Sequence, residues 1–393
     1  MLMVTELIEV AQGRRSPSVV RSRAAGRFDR TRAPVVVWNV CSHCNMHCPH
    51  CYAAAGARPS RQDLSERQCL DLLERLAEGG VQVVIFSGGE PLLRADLIRL
   101  IGRATELGLS AHLSTNGLFL DPDRVAMLRD AGLGYVGVSI DGREELNDSY
   151  RGIAGGFQQA VDGLRNAEQA GLRTGLRMTI TRRNADHLED LVQLAASLRL
   201  DRFYVSHLVP TGRARSMTVD ALSGEQTRAV LLRLFALAED CVSQGSRLSV
   251  ATGANDSDGV LLLYWIGARY GASAAEKVEQ LLCARRGNSA GEGVLCIDPQ
   301  GKVHPDPFWR SVVVGNLCQQ SVRDVLEHPL LQSLRRRETL LEGRCGGCDW
   351  KGLCRGSHRG RAEVATGLLW GSDPLCVLTD AEVGVHPAVV VEV

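Results

Sequence analysis

A cluster of cysteines near the start of the chain constrains the fold and its chemistry more than any other feature. Cys44, Cys48 and Cys51 are spaced C-x-x-x-C-x-x-C within the segment W-N-V-C-S-H-C-N-M-H-C-P-H-C-Y, residues 38–52. Three thiolates on one short loop can hold three irons of a four-iron, four-sulfur cluster and leave the fourth iron open to a small chelating ligand. A zinc site or a fully ligated cluster is the alternative, because Cys41 and three histidines lie in the same segment.

A second set of cysteines lies in the C-terminal part of the chain. Cys345, Cys348 and Cys354 fall within ten residues, and Cys376 follows 22 positions later. Four cysteines can ligate an auxiliary four-iron cluster fully, with zinc again as the alternative. Because this region has little apolar periodicity, we expect a bound cofactor to hold it folded.

Composition excludes several classes of protein. The 393 residues include 45 Lys and Arg against 45 Asp and Glu, a formal net charge of zero that argues against a nucleic-acid or anionic-membrane binder. Thirteen cysteines are too few for a secreted disulfide scaffold and favour metal binding or catalysis. The sequence shows neither an apolar run long enough to span a membrane nor the apolar core of a signal peptide over Met1 to Arg32. We therefore expect a cytoplasmic protein.

From Val35 onward, short β-branched runs alternate with segments of helical periodicity. Six such units predict an α/β fold in which a parallel sheet curves into a partial (β/α)6 barrel of the TIM type, with a doubly wound open sheet as the alternative. The predicted strands are Val35–Trp38, Val83–Phe86, Ala111–Leu113, Tyr135–Val138, Gly175–Thr179 and Phe203–Val205, and the predicted helices between them are Ser65–Ala77, Ala95–Leu107, Asp123–Ala131, Phe157–Ala170 and Ala185–Leu198.

The pattern after Ser223 predicts three helices and then a hairpin between 294–297 and 302–304. These patterns predict a loosely ordered extension over residues 1–33, the barrel over 34–222, a helical connector over 223–292, a small cluster-binding domain over 293–380 and a tail over 381–393.

Polar and glycine-rich segments follow the predicted strands, at the edge where the active sites of parallel barrels lie. They are S-G-G-E-P at 87–91, S-T-N-G at 114–117, S-I-D-G at 139–142 and Y-R-G at 150–152. Together with the cysteine loop and the aromatic Tyr52 after it, these segments resemble the motifs of the radical S-adenosylmethionine (SAM) superfamily, whose fold is a partial barrel.

The resemblance implies that the Cys44, Cys48 and Cys51 cluster cleaves SAM reductively, so that a 5′-deoxyadenosyl radical abstracts a hydrogen atom from the substrate. It also implies that flavodoxin or ferredoxin supplies the electron. Glu90 is expected to accept from the methionine ammonium group, and Arg151 to pair with a carboxylate. The residues that it places around SAM are Tyr52, Gly88, Gly89, Glu90, Thr115, Asn116, Ser139, Asp141 and Arg151.

The C-terminal cysteines resemble the SPASM and Twitch extensions of radical SAM enzymes, which implies that Cys345, Cys348, Cys354 and Cys376 hold an auxiliary four-iron cluster. The pattern departs from the full SPASM form, because His358 stands where a further cysteine would fall. Cys283, Cys296 and Cys318 have no assigned partners, and the role of Cys41 stays open between a packed thiol and a competitor for the open iron. We expect one auxiliary cluster.

Longer segments, among them 87–94, 212–215, 253–267 and 301–309, resemble the NirJ-type enzymes of heme d1 biosynthesis. This resemblance implies removal of propionate side chains from a siroheme-derived iron tetrapyrrole. Three alternatives stay open: oxidative decarboxylation of iron-coproporphyrin III, modification of a peptide by an enzyme of the SPASM kind, and a non-catalytic iron-sulfur or zinc protein.

Such a substrate needs cations for its carboxylates and flat apolar walls for its ring. The candidate cations are Arg177, Arg182, Arg183, Arg213, Arg215 and the arginines between 335 and 361. His207 and His304 are candidate catalytic residues, as ligands of the substrate iron or proton shuttles oriented by Asp256, Asp258 and Asp306. Trp265 and Trp309 are candidates for stacking, with core packing as the alternative.

Overall fold

The computed structural model describes residues 1–20 and 33–384, and its strands join one mixed sheet. The strands are β1 (Leu2–Met3), β2 (Val35–Asn39), β3 (Val83–Ser87), β4 (Ser110–Thr115), β5 (Tyr135–Ser139), β6 (Thr174–Ile180), β7 (Arg202–His207), β8 (Ser249–Gly253), β9 (Val294–Ile297), β10 (Lys302–His304) and β11 (Gly315–Asn316). Their order across the sheet is β1-β8-β7-β6-β5-β4-β3-β2-β9-β10-β11. Strands β2 to β8 run parallel to one another, which brings their carboxyl ends to one edge.

Helices connect the consecutive strands of the barrel, and further helices follow in the C-terminal half. They are α1 (Val4–Ala11), α2 (Glu66–Glu78), α3 (Leu97–Glu106), α4 (Pro122–Asp130), α5 (Glu144–Arg151), α6 (Gly156–Gln169), α7 (Leu188–Ser197), α8 (Gly224–Ser243), α9 (Ser257–Tyr270), α10 (Ala272–Arg285), α11 (Val322–Leu326), α12 (Pro329–Arg335), α13 (Gly343–Gly346), α14 (Lys351–Cys354) and α15 (Arg359–Thr366). Helix α2 illustrates why these segments are helical. Ser65 and Gln68 form a capping box at its start, and leucines at helical spacing are buried.

The six predicted barrel strands are confirmed as β2 to β7, and the partial-barrel fold class is confirmed with them. The sheet gains a seventh parallel strand, β8, inside the range 223–292 that was predicted to be a helical connector. Its sequence S-V-A-T-G is short and weakly apolar, which explains why the pattern did not indicate a strand. Helix α5 was also not predicted.

The prediction of a loosely ordered N-terminal extension is wrong for residues 2–11. Strand β1 pairs antiparallel with β8, and α1 buries Val4, Leu7 and Ile8. Because these residues recur at helical spacing, the sequence did carry a signal for α1. Residues 21–32 of that extension, and 385–393 of the predicted tail, lie outside the described residues.

The C-terminal segment shares the barrel sheet. Strand β9 runs parallel to β2, and the predicted hairpin is confirmed as β9 and β10. The segment therefore begins directly beside the cysteine loop, which follows β2. Among the described helices, none combines the length and the apolar character that crossing a membrane requires.

Candidate active site

The cysteine loop lies against the segment that follows β3. The backbone N–H groups of Gly89 and Glu90 donate to the carbonyl oxygens of Cys41 and His43, each at 2.9 Å. A Cβ atom on Gly89 would lie 1.9 Å from the His43 oxygen, and Gly88 has a φ of +141°. The two glycines are therefore required because any side chain there would collide with the backbone of the cysteine loop.

Cys44, Cys48 and Cys51 all carry free thiols. Burial raises the pKa of the Cys44 thiol to about 12, and the neighbouring Cys48 and Cys51 act in the same direction. The backbone N–H of Met46 donates to Cys44 Sγ at 3.4 Å. Three mutually repelling sulfurs that are partly withdrawn from water fit a group that supplies positive charge, as irons do.

Cys41 is packed apart from these three thiols. Its Sγ lies 3.3 Å from the Glu90 carbonyl oxygen and 3.6 Å from that of His43, and burial raises its pKa to about 11. These contacts favour a protonated, packed thiol over a fourth cluster ligand.

Arg213 clamps the other side of the loop. Its Nε donates to the carbonyl oxygen of Cys48 and its Nη1 to that of Ala55, both at 2.8 Å, while its backbone N–H donates to the Cys51 oxygen. Gly212 has a φ of +58°, and a Cβ there would lie 2.3 Å from the Tyr52 oxygen. The expectation that Arg213 serves the substrate is therefore not supported, because its guanidinium is engaged by the loop.

Glu90, Thr115 and Asn116 form one hydrogen-bonded group. The fully buried Glu90 carboxylate accepts from Thr115 Oγ1 at 2.6 Å and from the Asn116 N–H at 2.8 Å, and burial raises its pKa. Asn116 Nδ2 in turn donates to Asn45 Oδ1 on the cysteine loop at 2.7 Å. These residues tie the ends of β3 and β4 to the loop.

Asp141 and Arg151 form a fully buried ion pair at the end of β5. Arg151 Nη2 donates to Asp141 Oδ2 at 2.5 Å, and His50 Nε2 lies 3.1 Å from the same oxygen. The Thr179 N–H donates to Asp141 Oδ1 at 2.8 Å. Although burial opposes ionisation, Arg151 and His50 hold the pKa of the Asp141 carboxyl well below its usual range. Asp141 thus joins the loop to Arg151 rather than presenting a free carboxylate.

Arg151 retains capacity for a ligand. Its Nε is buried and has no hydrogen-bond partner among the described residues, and its charge acts on the Cys48 and Cys44 thiols. An unsatisfied guanidinium nitrogen beside the cysteine loop fits the carboxylate of a group bound there.

Tyr52 and Ser139 occupy the neighbouring part of the mouth. The Tyr52 hydroxyl donates to Asn39 Oδ1 at 2.9 Å, and its ring meets Phe308 edge-on with centroids 5.3 Å apart. Ser139 lies opposite Arg177 in the register of β5 and β6. The loop, the strand ends and the C-terminal segment therefore meet at one mouth.

The inner face of the barrel is cationic and aromatic. Arg177 lies over the Tyr204 ring with its Cζ 5.5 Å from the centroid, and Arg202 lies over Tyr135 at the same distance. Arg177 Nη1 also donates to Ser114 Oγ at 2.5 Å. These side chains alternate with apolar residues such as Leu176 and Val205, which face the helices.

The C-terminal cysteines line one small cavity. Cys345, Cys348, Cys354 and Cys376 all contribute to it, as the spacing predicts. Burial, followed by the nearby charge of Asp256 and then the neighbouring thiols, raises the pKa of Cys354 well above its usual value. Within residues 1–20 and 33–384, no group of three or more His, Cys, Asp or Glu side chains has the geometry of a single-ion site.

Four other candidates lie elsewhere. Cys283 is exposed on α10, Cys296 is buried in β9 with Asn39 Nδ2 3.7 Å from its sulfur, and Cys318 lies 4.0 Å from the Gln300 oxygen. His358 caps α15 and lies 3.1 Å from Asp306 Oδ2. None of the four lines the C-terminal cavity.

The two candidate histidines are both buried. His207 Nε2 lies 2.8 Å from Oδ2 of Asp258, one of the three aspartates named as orienting groups. His304 contacts none of the three: its Nδ1 lies 2.7 Å from the Val312 oxygen and its Nε2 lies 3.5 Å from Asp298. Asp256 Oδ2 accepts a hydrogen bond from Asn288 Nδ2, a contact that the sequence did not predict.

Most of the candidate arginines serve the fold or face solvent. Arg355 and Arg361 are buried against Glu292 and Asp373, whereas Arg337 and Arg359 donate to backbone carbonyls. Arg183 pairs with Asp220 at the surface, and Arg182 and Arg215 are exposed. The two tryptophans pack in the core, Trp265 against Phe235 and Trp309 with its Nε1 on Glu363. The expectation that the arginines between 335 and 361 supply cations for the substrate is therefore not supported for Arg337, Arg355, Arg359 and Arg361, whose guanidinium groups are engaged by acids or backbone carbonyls of the protein.

Two family models match the chain. Residues 38–195 match the radical SAM superfamily, and residues 283–349 match an iron-sulfur cluster-binding domain of the SPASM type. The first match spans the cysteine loop and the following strand ends described above. The second begins at Cys283 and includes Cys345 and Cys348.

Two curated relatives are similar over nearly their whole length. The pre-heme d1 synthase of Dinoroseobacter shibae is 39% identical over 357 residues, covering 90% of this chain and 88% of its own. The Fe-coproporphyrin III synthase of Methanosarcina barkeri is 36% identical over 368 residues, covering 92% of each. A solved structure, native anSMEcpe with bound AdoMet, has a TM-score of 0.69 at 17% identity and covers 87% of this chain and 94% of its own, which shows the shared fold.

Proposed function

The chain belongs to the radical SAM superfamily and carries a SPASM-type iron-sulfur domain, and on that basis we propose that it removes propionate side chains from a siroheme-derived iron tetrapyrrole, the step required for heme d1. It is a radical SAM enzyme whose cofactors are SAM and four-iron clusters. The similarity to a pre-heme d1 synthase, extending over nine-tenths of the chain, is the observation that carries the proposed substrate.

We assign Cys44, Cys48 and Cys51 to the cluster that binds SAM. The bound cluster and SAM supply a 5′-deoxyadenosyl radical, which abstracts a hydrogen atom from the substrate. The chain's own residues would orient the bound groups and exclude water. Gly89 and Arg213 fix the cysteine loop from opposite sides. Cys345, Cys348, Cys354 and Cys376 would hold the auxiliary cluster.

The same geometry supports a proposed set of SAM contacts. Arg151, with its unsatisfied Nε, is the residue that we assign to the methionine carboxylate. Asp141 and Glu90 are positioning residues in this scheme: Asp141 holds Arg151 and His50, and Glu90 holds the ends of β3 and β4. Tyr52, Thr115, Asn116 and Ser139 border the same mouth. Flavodoxin or ferredoxin is the proposed electron donor.

Oxidative decarboxylation of iron-coproporphyrin III on the way to heme is the second candidate function, favoured by 29% identity over 343 residues to the AdoMet-dependent heme synthase of Oleidesulfovibrio alaskensis. Both candidates begin with hydrogen abstraction from a propionate side chain. They differ in whether the product retains a two-carbon vinyl group or loses the side chain.

Anaerobic turnover separates these candidates. The reconstituted enzyme is incubated with SAM, dithionite and either a siroheme-derived tetrapyrrole or iron-coproporphyrin III, and LC-MS follows 5′-deoxyadenosine and the macrocycle mass. Loss of whole propionates from the first substrate supports the proposal, whereas loss of carbon dioxide from the second supports the alternative. Formation of 5′-deoxyadenosine with both macrocycles unchanged would redirect the substrate search to peptides.

A further inference from the structure

Arg177 is a cation on the inner wall of the barrel whose charge is not balanced by a neighbouring acid. It lies in the middle of β6, and its guanidinium rests on the Tyr204 ring and donates to Ser114. None of the ion pairs within the described part of the chain includes it. One neutral hydroxyl acceptor leaves most of its five N–H donors available.

Three other buried or half-buried arginines near the mouth are engaged by acids or backbone carbonyls. Arg151 is paired with Asp141, Arg213 donates to two backbone carbonyls of the cysteine loop, and Arg94 pairs with Asp96. Keeping a guanidinium away from water without an anion costs free energy unless a ligand compensates it. The inner wall therefore has the chemistry of an unfilled carboxylate site.

Its position in the sheet places this site under the mouth. Arg177 lies opposite Ser139 at the carboxyl end of β5 and opposite Tyr204 in β7. Tyr204 adds a flat aromatic surface beside the cation, which suits a ligand that carries both an acid and a conjugated ring.

We propose that Arg177, supported by Tyr204 and Ser114, binds a carboxylate of the substrate macrocycle. This inference rests on the proposed tetrapyrrole substrate and names the residue that binds one of its carboxylate side chains. The other carboxylate that reaches this barrel is that of SAM, which Arg151 accommodates beside the cysteine loop.

The test combines a change in the protein with a change in the ligand. A siroheme-derived iron tetrapyrrole and its permethyl ester are titrated anaerobically into the wild-type holoenzyme and into Arg177→Gln, with affinity read from the macrocycle absorbance. SAM affinity is measured on the same preparations by equilibrium dialysis. The free acid should bind Arg177→Gln about 10- to 100-fold more weakly than wild type, because a charge-assisted hydrogen bond is lost. The ester should bind both proteins alike, and SAM affinity should be unchanged.

Arg173→Gln is the matched control. Arg173 is an exposed arginine directly before β6, and its Nε donates to the backbone oxygen of Gly134. This substitution should leave all three affinities unchanged. Because the ester changes only the ligand, the comparison in wild type stays informative if the variant folds poorly.

Equal binding of the free acid to wild type and Arg177→Gln would overturn the inference, as would equal binding of acid and ester to wild type. A fall in SAM affinity with macrocycle binding intact would reassign Arg177 to SAM. If wild type bound neither macrocycle while still cleaving SAM, the proposed substrate would itself be wrong, and this inference would fall with it.

Discussion

Asp141→Asn should destabilise the enzyme strongly, because Asp141 is the shared anion of a buried cluster. Its carboxylate accepts hydrogen bonds from Arg151 Nη2 at 2.5 Å and from the Thr179 N–H at 2.8 Å, and it lies 3.1 Å from His50 Nε2. Asparagine keeps the shape but removes the charge, leaving Arg151 as an uncompensated buried cation. Breaking a buried pair in this way costs about 3 to 5 kcal/mol of unfolding free energy.

The measurement is a urea titration of the anaerobically purified protein, followed by tryptophan fluorescence. Asp162→Asn is the control, because the Asp162–Arg165 pair is about half exposed on α6 and should contribute at most about 1 kcal/mol. A loss below about 1 kcal/mol in Asp141→Asn, with SAM affinity nonetheless reduced, would refute the positioning role and favour a direct contact with SAM.

The difference in unfolding free energy between wild type and Asp141→Asn should change with pH in a definite direction. Since folding lowers the pKa of Asp141, its carboxylate stabilises the folded state fully above the unfolded value of about 3.9 and loses that contribution as the pH falls below it. The difference in unfolding free energy between wild type and Asp141→Asn should therefore be constant above about pH 5 and shrink in more acidic solution. A difference that grew on acidification would contradict this assignment.

Three further changes test other contacts. Gly89→Ala should abolish cluster incorporation, measured as iron content, because the added Cβ would meet the His43 carbonyl oxygen; retention of full iron content would contradict the packing argument. Cys41→Ser should retain SAM cleavage, whereas loss of cleavage with the fold intact would make Cys41 a ligand. Arg344→Gln should lower the reduction potential of the auxiliary cluster, read by redox titration with EPR, because Arg344 Nη1 donates to Cys376 Sγ at 3.1 Å; an unchanged potential would exclude that influence.

The barrel could be predicted from sequence because its strands are β-branched runs that end at recognisable polar turns. Strand β8 could not, since S-V-A-T-G is stabilised by its position between β7 and β1 rather than by its own composition. The two cysteine sets were found by spacing, and the structure brings the second set to one cavity as expected.

The partners of charged side chains were much harder to predict. Asp141 and Arg151 lie ten residues apart, yet their link to His50 depends on how the loop folds back onto β5. Arg213 likewise contacts residues more than 150 positions earlier in the chain. Local patterns identify which residues are polar and where strands end, but they do not specify which distant groups meet.

Transfer of deuterium from the substrate to the cofactor product tests the central claim most directly. The enzyme is incubated anaerobically with SAM, reductant and a siroheme-derived iron tetrapyrrole deuterated in its propionate side chains, and the 5′-deoxyadenosine is analysed by mass spectrometry. A gain of one mass unit, in step with loss of propionate from the macrocycle, is the predicted result. Unlabelled 5′-deoxyadenosine alongside an unchanged macrocycle would contradict the proposed substrate.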